Sequence, residues 1–232
     1  MNLHKPKFWD FEKPNFLAYL LLPLTLFVRA NIFISKLYPK KKFKKIKTIC
    51  IGNIYLGGTG KTPTTLKLYQ LLKNINYKVV NAKKYYFDQE DEYILLNNKS
   101  NVITLRDRDE IIKHAIKKNY ELVIFDDGLQ EKKIDYDLKF VCFDSKNWIG
   151  NGLIIPSGPL REEINSLRKY DGVFLKVTNT SIDLNKIKLI IKNINPKIEV
   201  FDTYVKIKNI ESLELSDKYL IFSGIGNSTS FK

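Results

Sequence analysis

The stretch from Ile49 to Pro63, IleCysIleGlyAsnIleTyrLeuGlyGlyThrGlyLysThrPro, constrains the fold of this chain more than any other. Its first half is an apolar run of strand length, and its second half is a glycine-rich turn closed by Lys61 and Thr62. Gly57, Gly58 and Gly60 lack Cβ, so the turn can aim successive backbone N–H groups at one anion, while Lys61 adds charge at the outer phosphates. Thr62 offers a hydroxyl to Mg²⁺, and Pro63 sits where a first-turn proline loses no hydrogen bond. A helix over 62–74 is expected next, its N-terminus facing the phosphates. Tyr55, Leu56, Gly57, Gly58, Thr59, Gly60, Lys61 and Thr62 are therefore the candidate nucleotide-binding residues. Tyr55 stands where the usual phosphate-loop pattern has a glycine, so the strict pattern fails by one residue.

The remaining chain reads as strands alternating with helices, which makes a parallel α/β sheet. Strands are expected at 77–82, 101–105, 121–126, 138–144 and 171–176, with a loop from Lys83 to Glu92 and a helix over 106–118. The strand GluLeuValIlePheAspAsp ends in Asp126 and Asp127 at the carboxyl edge of the sheet, where Mg²⁺ needs hard oxygen ligands. Arg161, in a Pro-rich loop of a lysine-dominated protein, is a candidate phosphate clamp because its planar fork does what Lys cannot. Cys50 and Cys142 lie inside apolar strand-like runs and read as buried reduced thiols, and no zinc-type ligand spacing exists.

The N-terminal region carries a different signal. Residues 16–37 are apolar, but Pro23 and Arg29 interrupt them well short of the roughly 20 residues that span a bilayer. Lysines at 40, 41, 42, 44, 45 and 47 follow, and Phe8 and Trp9 suit a headgroup boundary, so an interfacial helix beside an anionic leaflet is expected. The net charge of +14 agrees with an anionic surface or polyanionic partner. Nucleic acid is not the expected partner, since no aromatic platform is interleaved with arginine and the densest basic run adjoins the apolar helix. The expected organisation is 1–47 interfacial helix and basic linker, 48–196 phosphate-loop core, 197–216 β linker, and 217–232 the start of a second small α/β domain that is not finished.

These residues resemble the tetraacyldisaccharide 4'-kinase family of lipid A synthesis. The resemblance rests on GlyAsnIleTyrLeuGlyGlyThrGlyLysThrPro, AspGlu at 91–92, AspAspGlyLeuGln at 126–130, AsnGlyLeuIleIleProSerGlyProLeuArgGlu at 151–162 and GlyIleGlyAsn at 224–227. The ProSerGlyProLeuArgGlu loop following AspAspGlyLeuGln is its specific part, because a phosphate loop alone says only NTPase. The resemblance removes the anomaly of Tyr55, where the family has no glycine. It implies a P-loop NTPase-like parallel sheet, ATP and Mg²⁺ as cofactors, and phosphorylation of the 4'-hydroxyl of an acylated glucosamine disaccharide 1-phosphate at the cytoplasmic face of the bacterial inner membrane. It further implies Lys61 and Thr62 at the phosphates, Asp91 as catalytic carboxylate with Glu92 beside it, Asp126 and Asp127 near the metal, and Arg161 as the arginine of Pro-Leu-Arg.

Several positions depart from the family pattern. Ser-Arg-Gly-Tyr-Gly becomes AlaLysLysTyrTyr at 82–86, Tyr93 replaces a proline, and Glu131 replaces a common histidine. The family's Asp-His-His lies beyond GlyIleGlyAsn, and this sequence ends first, so impaired transfer is the expectation. A membrane-associated P-loop ATPase switch is the alternative, and Leu56 in place of that group's signature lysine argues against it.

Overall fold

The computed structural model describes residues 5–86, 90–178 and 183–206, with the helical backbone of 90–92 included without side chains. Seven parallel strands form one sheet in the order β3-β2-β4-β1-β5-β6-β7: β1 (Lys47–Gly52), β2 (Val79–Lys84), β3 (Val102–Leu105), β4 (Leu122–Asp126), β5 (Leu138–Asp144), β6 (Gly172–Val177) and β7 (Glu199–Tyr204). Strands buried on both faces need apolar residues at successive positions, and β4 supplies them as LeuValIlePhe with every residue buried. Cys50, Val80, Ala82, Val123 and Phe125 share one face with Ile111, Ile112 and Ala115 of α5 (Arg108–Lys117). Ile49, Ile51, Val79 and Ile124 share the other with Leu68, Tyr69 and Leu72 of α3 (Lys61–Asn74). The chain leaves β1 for β2 on one side and reaches β5 on the other, so the loops after β1 and β4 meet where the strand order reverses.

Most expected elements are present within a residue or two, and three differ. Lys83 and Lys84, expected in a loop, extend β2, because β2 pairs with β3 through Leu105. The same expected loop is shortened at its far end by α4 (Glu90–Lys99). Residues 199–204, expected in a linker, are the edge strand β7, paired in parallel with β6 from Gly172↔Glu199 to Val177↔Tyr204. The helix α6 (Leu184–Ile194) was not read from the sequence; Asp183 caps it, and Ile187 and Ile191 bury its inner face. The expected start of a second domain, and residues 207–216 of the linker, lie outside the described residues.

The N-terminal region forms α1 (Phe16–Leu20), capped by the Asn15 side chain, and α2 (Leu22–Leu37) with Pro23 in its first turn. Phe16, Leu20, Leu26, Phe27, Phe33 and Leu37 are exposed, Phe27 at 76%. Among the described residues no helix is long and apolar enough to cross a membrane. Trp9, expected at a headgroup boundary, is instead 8% exposed, because its indole N–H donates to the Pro156 carbonyl at 2.9 Å. The lysine run is not a free linker either: Lys41 exchanges backbone bonds with Lys133 and Asp135 and pairs with Asp109, while Lys42 and Lys47 face Asp137.

Candidate active site

The phosphate loop leaves β1 at Gly52 and enters α3 at Lys61. Gly60 has φ +84°, a left-handed conformation strained for any residue with a Cβ, and it caps α3 without a side-chain acceptor. Asn53, fully buried, braces the loop from inside: its amide donates to the carbonyls of Tyr55 at 2.6 Å and Gly57 at 3.1 Å. From outside, the loop is stitched to residues 159–161. The Leu56 N–H donates to Pro159, the Arg161 N–H donates to Ile54, and Tyr55 bridges Leu160. The Tyr55 side chain is buried and faces the N-terminal turn, so its contribution to the loop's inner surface is main chain.

Asp126 and Asp127 follow from β4, whose last residue pairs with Ile51 on one side and Lys83 on the other. Asp126 is buried, and its Oδ2 accepts from the Thr62 hydroxyl at 2.9 Å and faces Lys83 Nζ at 3.5 Å. Burial pushes its carboxyl above the usual range, outweighing the opposite pull of Lys83, Thr62 and Lys61. Among the described residues its Oδ1 has no hydrogen-bond partner, nor does the buried Thr59 hydroxyl within the loop. Asp127 has φ +60°, unusual for a residue other than glycine. That turn aims its carboxylate at Lys61 Nζ, 3.9 Å away, and at Arg161 Nη1, 3.3 Å from both oxygens. Arg161 also donates to Gln130 at 3.2 Å, and Gln130 donates to Glu162 and to the Asn53 carbonyl, which joins the two sequence motifs into one network.

Arg108 was not singled out from the sequence, though it is nearly buried and central here. It donates to the Asp127 carbonyl and pairs with Glu131 at 3.0 Å, so it supports the left-handed turn from beneath. Burial alone would raise the Glu131 carboxyl, but the Lys133 amide, the Arg108 guanidinium and the Lys132 amide together hold it below its ordinary value. A lone arginine at the start of a helix gives no pattern that marks this role; only the fold brings it under β4. Asp91 and Glu92 lie in the first turn of α4, shortly after the β2 end that carries Lys83, and their side chains are outside the described residues. Both cysteines are buried free thiols, and burial pushes Cys142 up to about 12.

A cleft of about 590 Å³ opens beside these groups, lined by Leu56, Arg108, Asp127, Gln130, Lys132 and Arg161 among others. Its wall is tied to α2 at one point, where Lys132 bonds Asn31 at 2.8 Å, and outside the cleft Arg29 pairs with Glu163 at 3.0 Å. A loop that cradles an anion, an unsatisfied carboxylate oxygen next to a threonine hydroxyl, and a cleft with cations on its wall can support phosphoryl transfer. The residues also fit Mg²⁺, which prefers few protein oxygens plus phosphate. Among the described residues there is no cluster of three or more His, Cys, Asp or Glu that could hold a metal by itself.

The comparisons point the same way. The family model described as tetraacyldisaccharide-1-P 4'-kinase matches residues 17–82 and 77–232. A tetraacyldisaccharide 4'-kinase of Pelagibacter ubique (strain HTCC1062) is 46% identical over 233 residues, covering all of this chain and 73% of the relative. One of Rickettsia canadensis (strain McKiel) is 32% identical over 249 residues, again covering all of this chain and 73% of the relative. Among solved structures, LpxK from Aquifex aeolicus in complex with ATP superposes with a TM-score of 0.59 at 18% identity, covering 86% of each chain, which shows a common fold.

Proposed function

The chain belongs to the tetraacyldisaccharide 4'-kinase family, and from that premise we propose how its residues divide the work of an ATP-dependent transfer to the 4'-hydroxyl of a tetraacyldisaccharide 1-phosphate. The observation that carries the reading is the convergence of three segments: Thr62 of the loop bonds Asp126, Lys61 of the loop and Arg161 both face Asp127, and Asp127 and Arg161 line the cleft. The loop amides and Lys61 hold the outer phosphates of ATP. Arg161, released from Asp127 toward the substrate, compensates charge on the transferring group. Thr62, Asp126 and Asp127 are the residues that would hold Mg²⁺, which supplies further charge neutralisation on the phosphates. Asp91 accepts the proton of the acceptor hydroxyl as its oxygen bonds the γ-phosphorus and the bond to the β-phosphate oxygen breaks, leaving ADP.

The acceptor carries acyl chains, and α2, whose outer face is apolar and exposed, is joined to the cleft wall by the bond from Lys132 to Asn31. This supports peripheral seating on the cytoplasmic face of the inner membrane, where the disaccharide enters the cleft without leaving the bilayer. Lys44 and Lys45, exposed and without an ion pair to a described residue, add attraction to anionic lipid.

The division of roles is tested with Asp91→Asn. Turnover is expected to fall on the order of 10² to 10⁴, the range of a general base, with ATP affinity kept. A variant that turns over like the wild type removes Asp91 from the chemistry.

A further inference from the structure

The phosphate loop has a partner that the transfer chemistry does not use. The phenol of Tyr55, a residue of the loop itself, donates to Asp10 Oδ1 at 2.6 Å, and the Lys5 ammonium contacts both groups and lies 4.7 Å from the centre of the Tyr55 ring. Asp10 ends a tight 3-10 turn, Lys7–Asp10, six residues before α1 begins. The turn is fixed at a second point: the Trp9 indole donates to Pro156, and the Trp9 carbonyl accepts the Asn151 N–H at 3.0 Å. Gly150 is required there, because a Cβ would lie 2.1 Å from the Trp9 oxygen. Tyr55 also packs in one apolar cluster with Ile154, Leu160 and Val28, and Val28 belongs to α2. Thus the segment that carries the exposed apolar helices grips the loop through a hydrogen bond, a cation and a packed side chain, all at Tyr55.

We propose that the Lys5–Asp10 turn is a positioning clamp on the phosphate loop, acting through Tyr55, so that seating α1 and α2 on a membrane strengthens nucleotide binding. The proposal rests on the membrane reading given above. Tyr55 is a positioning residue: its phenol touches no reacting atom, and its effect passes through the backbone that Asn53 braces from the other side. Seating can act on affinity only if the clamped loop binds nucleotide better than the unclamped one.

The test uses the whole chain, Mg²⁺-ATP titration, and phosphatidylethanolamine vesicles containing phosphatidylglycerol. Tyr55→Phe keeps the buried ring and removes the hydroxyl, and Asp10→Asn removes the charge. Each is expected to raise the ATP dissociation constant roughly three- to tenfold, the range of one lost hydrogen bond. The double variant should be no weaker than the worse single one, since both break the same contact. Vesicles should tighten ATP binding by the wild type and not by Tyr55→Phe, and in Asp10→Asn turnover at saturating ATP should return close to wild type with the acceptor KM unchanged. Thermal melting that matches wild type excludes a general loss of fold. Equal ATP affinity in all proteins overturns the clamp, as does full additivity in the double variant. Co-sedimentation in the same samples separates the two claims. Protein that does not sediment contradicts the membrane reading, whereas sedimenting wild type with unaltered ATP affinity overturns the coupling.

Discussion

At the scale of residues, the site depends on cations that share one carboxylate and on a second carboxylate with one oxygen left unpartnered among the described residues. Lys61 and Arg161 both face Asp127, while Asp126 keeps one oxygen unsatisfied in a buried position. Lys61 and Thr62 were legible from the glycine turn, Asp126 and Asp127 from the end of an apolar strand, and Arg161 from its planar fork in a lysine-dominated chain. Asn53 and Arg108 were not, because their work is to hydrogen-bond main-chain carbonyls, which no spacing rule announces. Arg108 and Glu131 also make the protein's acid stability readable. The Glu131 carboxyl is held below its ordinary 4.5 in the folded chain, so its ionised form stabilises the fold fully above that value. That contribution is lost as pH falls through the lower folded value. Glu131→Gln is therefore expected to flatten the acid side of a melting-temperature profile and to lower the neutral plateau. An acid limb identical to wild type would show that the pair contributes nothing.

At the scale of elements, the core strands were legible because strands covered on both faces need continuous apolar runs, and β1, β4 and β5 carry IleCysIle, LeuValIlePhe and PheValCysPhe. The edge was harder. β7 alternates exposed and half-buried residues, the pattern of any extended segment, and only its pairing with β6 makes it part of the sheet. The helix α6 was missed although its isoleucines fall at helical spacing after a capping aspartate. In α1 and α2 the apolar character was legible, but which residues face outward was not. Ala18, Thr25 and Val28 turn toward the protein, leaving Leu26 and Phe27 on the outer face. Replacing Leu26 and Phe27 together by Asn should leave melting unchanged, since both are exposed, and weaken vesicle binding by more than tenfold. The basis is that inserting one large apolar side chain is worth about 1.5–3 kcal/mol. Co-sedimentation at constant salt measures this, and undiminished binding would assign membrane seating to another surface.

At the scale of the whole molecule, one end of the sheet gathers the phosphate loop, the acidic pair, the arginine loop, the cleft and the root of the apolar helices. The family resemblance implied that the loop, the acidic pair and the arginine act together, and the sheet order explains their meeting, since the strand order reverses beside β1, with β2 on one side of it and β5 on the other. The chain spans about 73% of the length of the curated relatives it matches. The measurement that bears most directly on the account is transfer of label from γ-labelled ATP to tetraacyldisaccharide 1-phosphate in mixed micelles, with the phosphorylated position read by NMR. The account predicts label at the 4' position, dependent on Mg²⁺, and loss of transfer by a factor on the order of 10² or more in Lys61→Ala, whose melting stays near wild type. ADP release without label in the disaccharide, at the same rate with and without acceptor, would contradict it and leave an ATPase in its place.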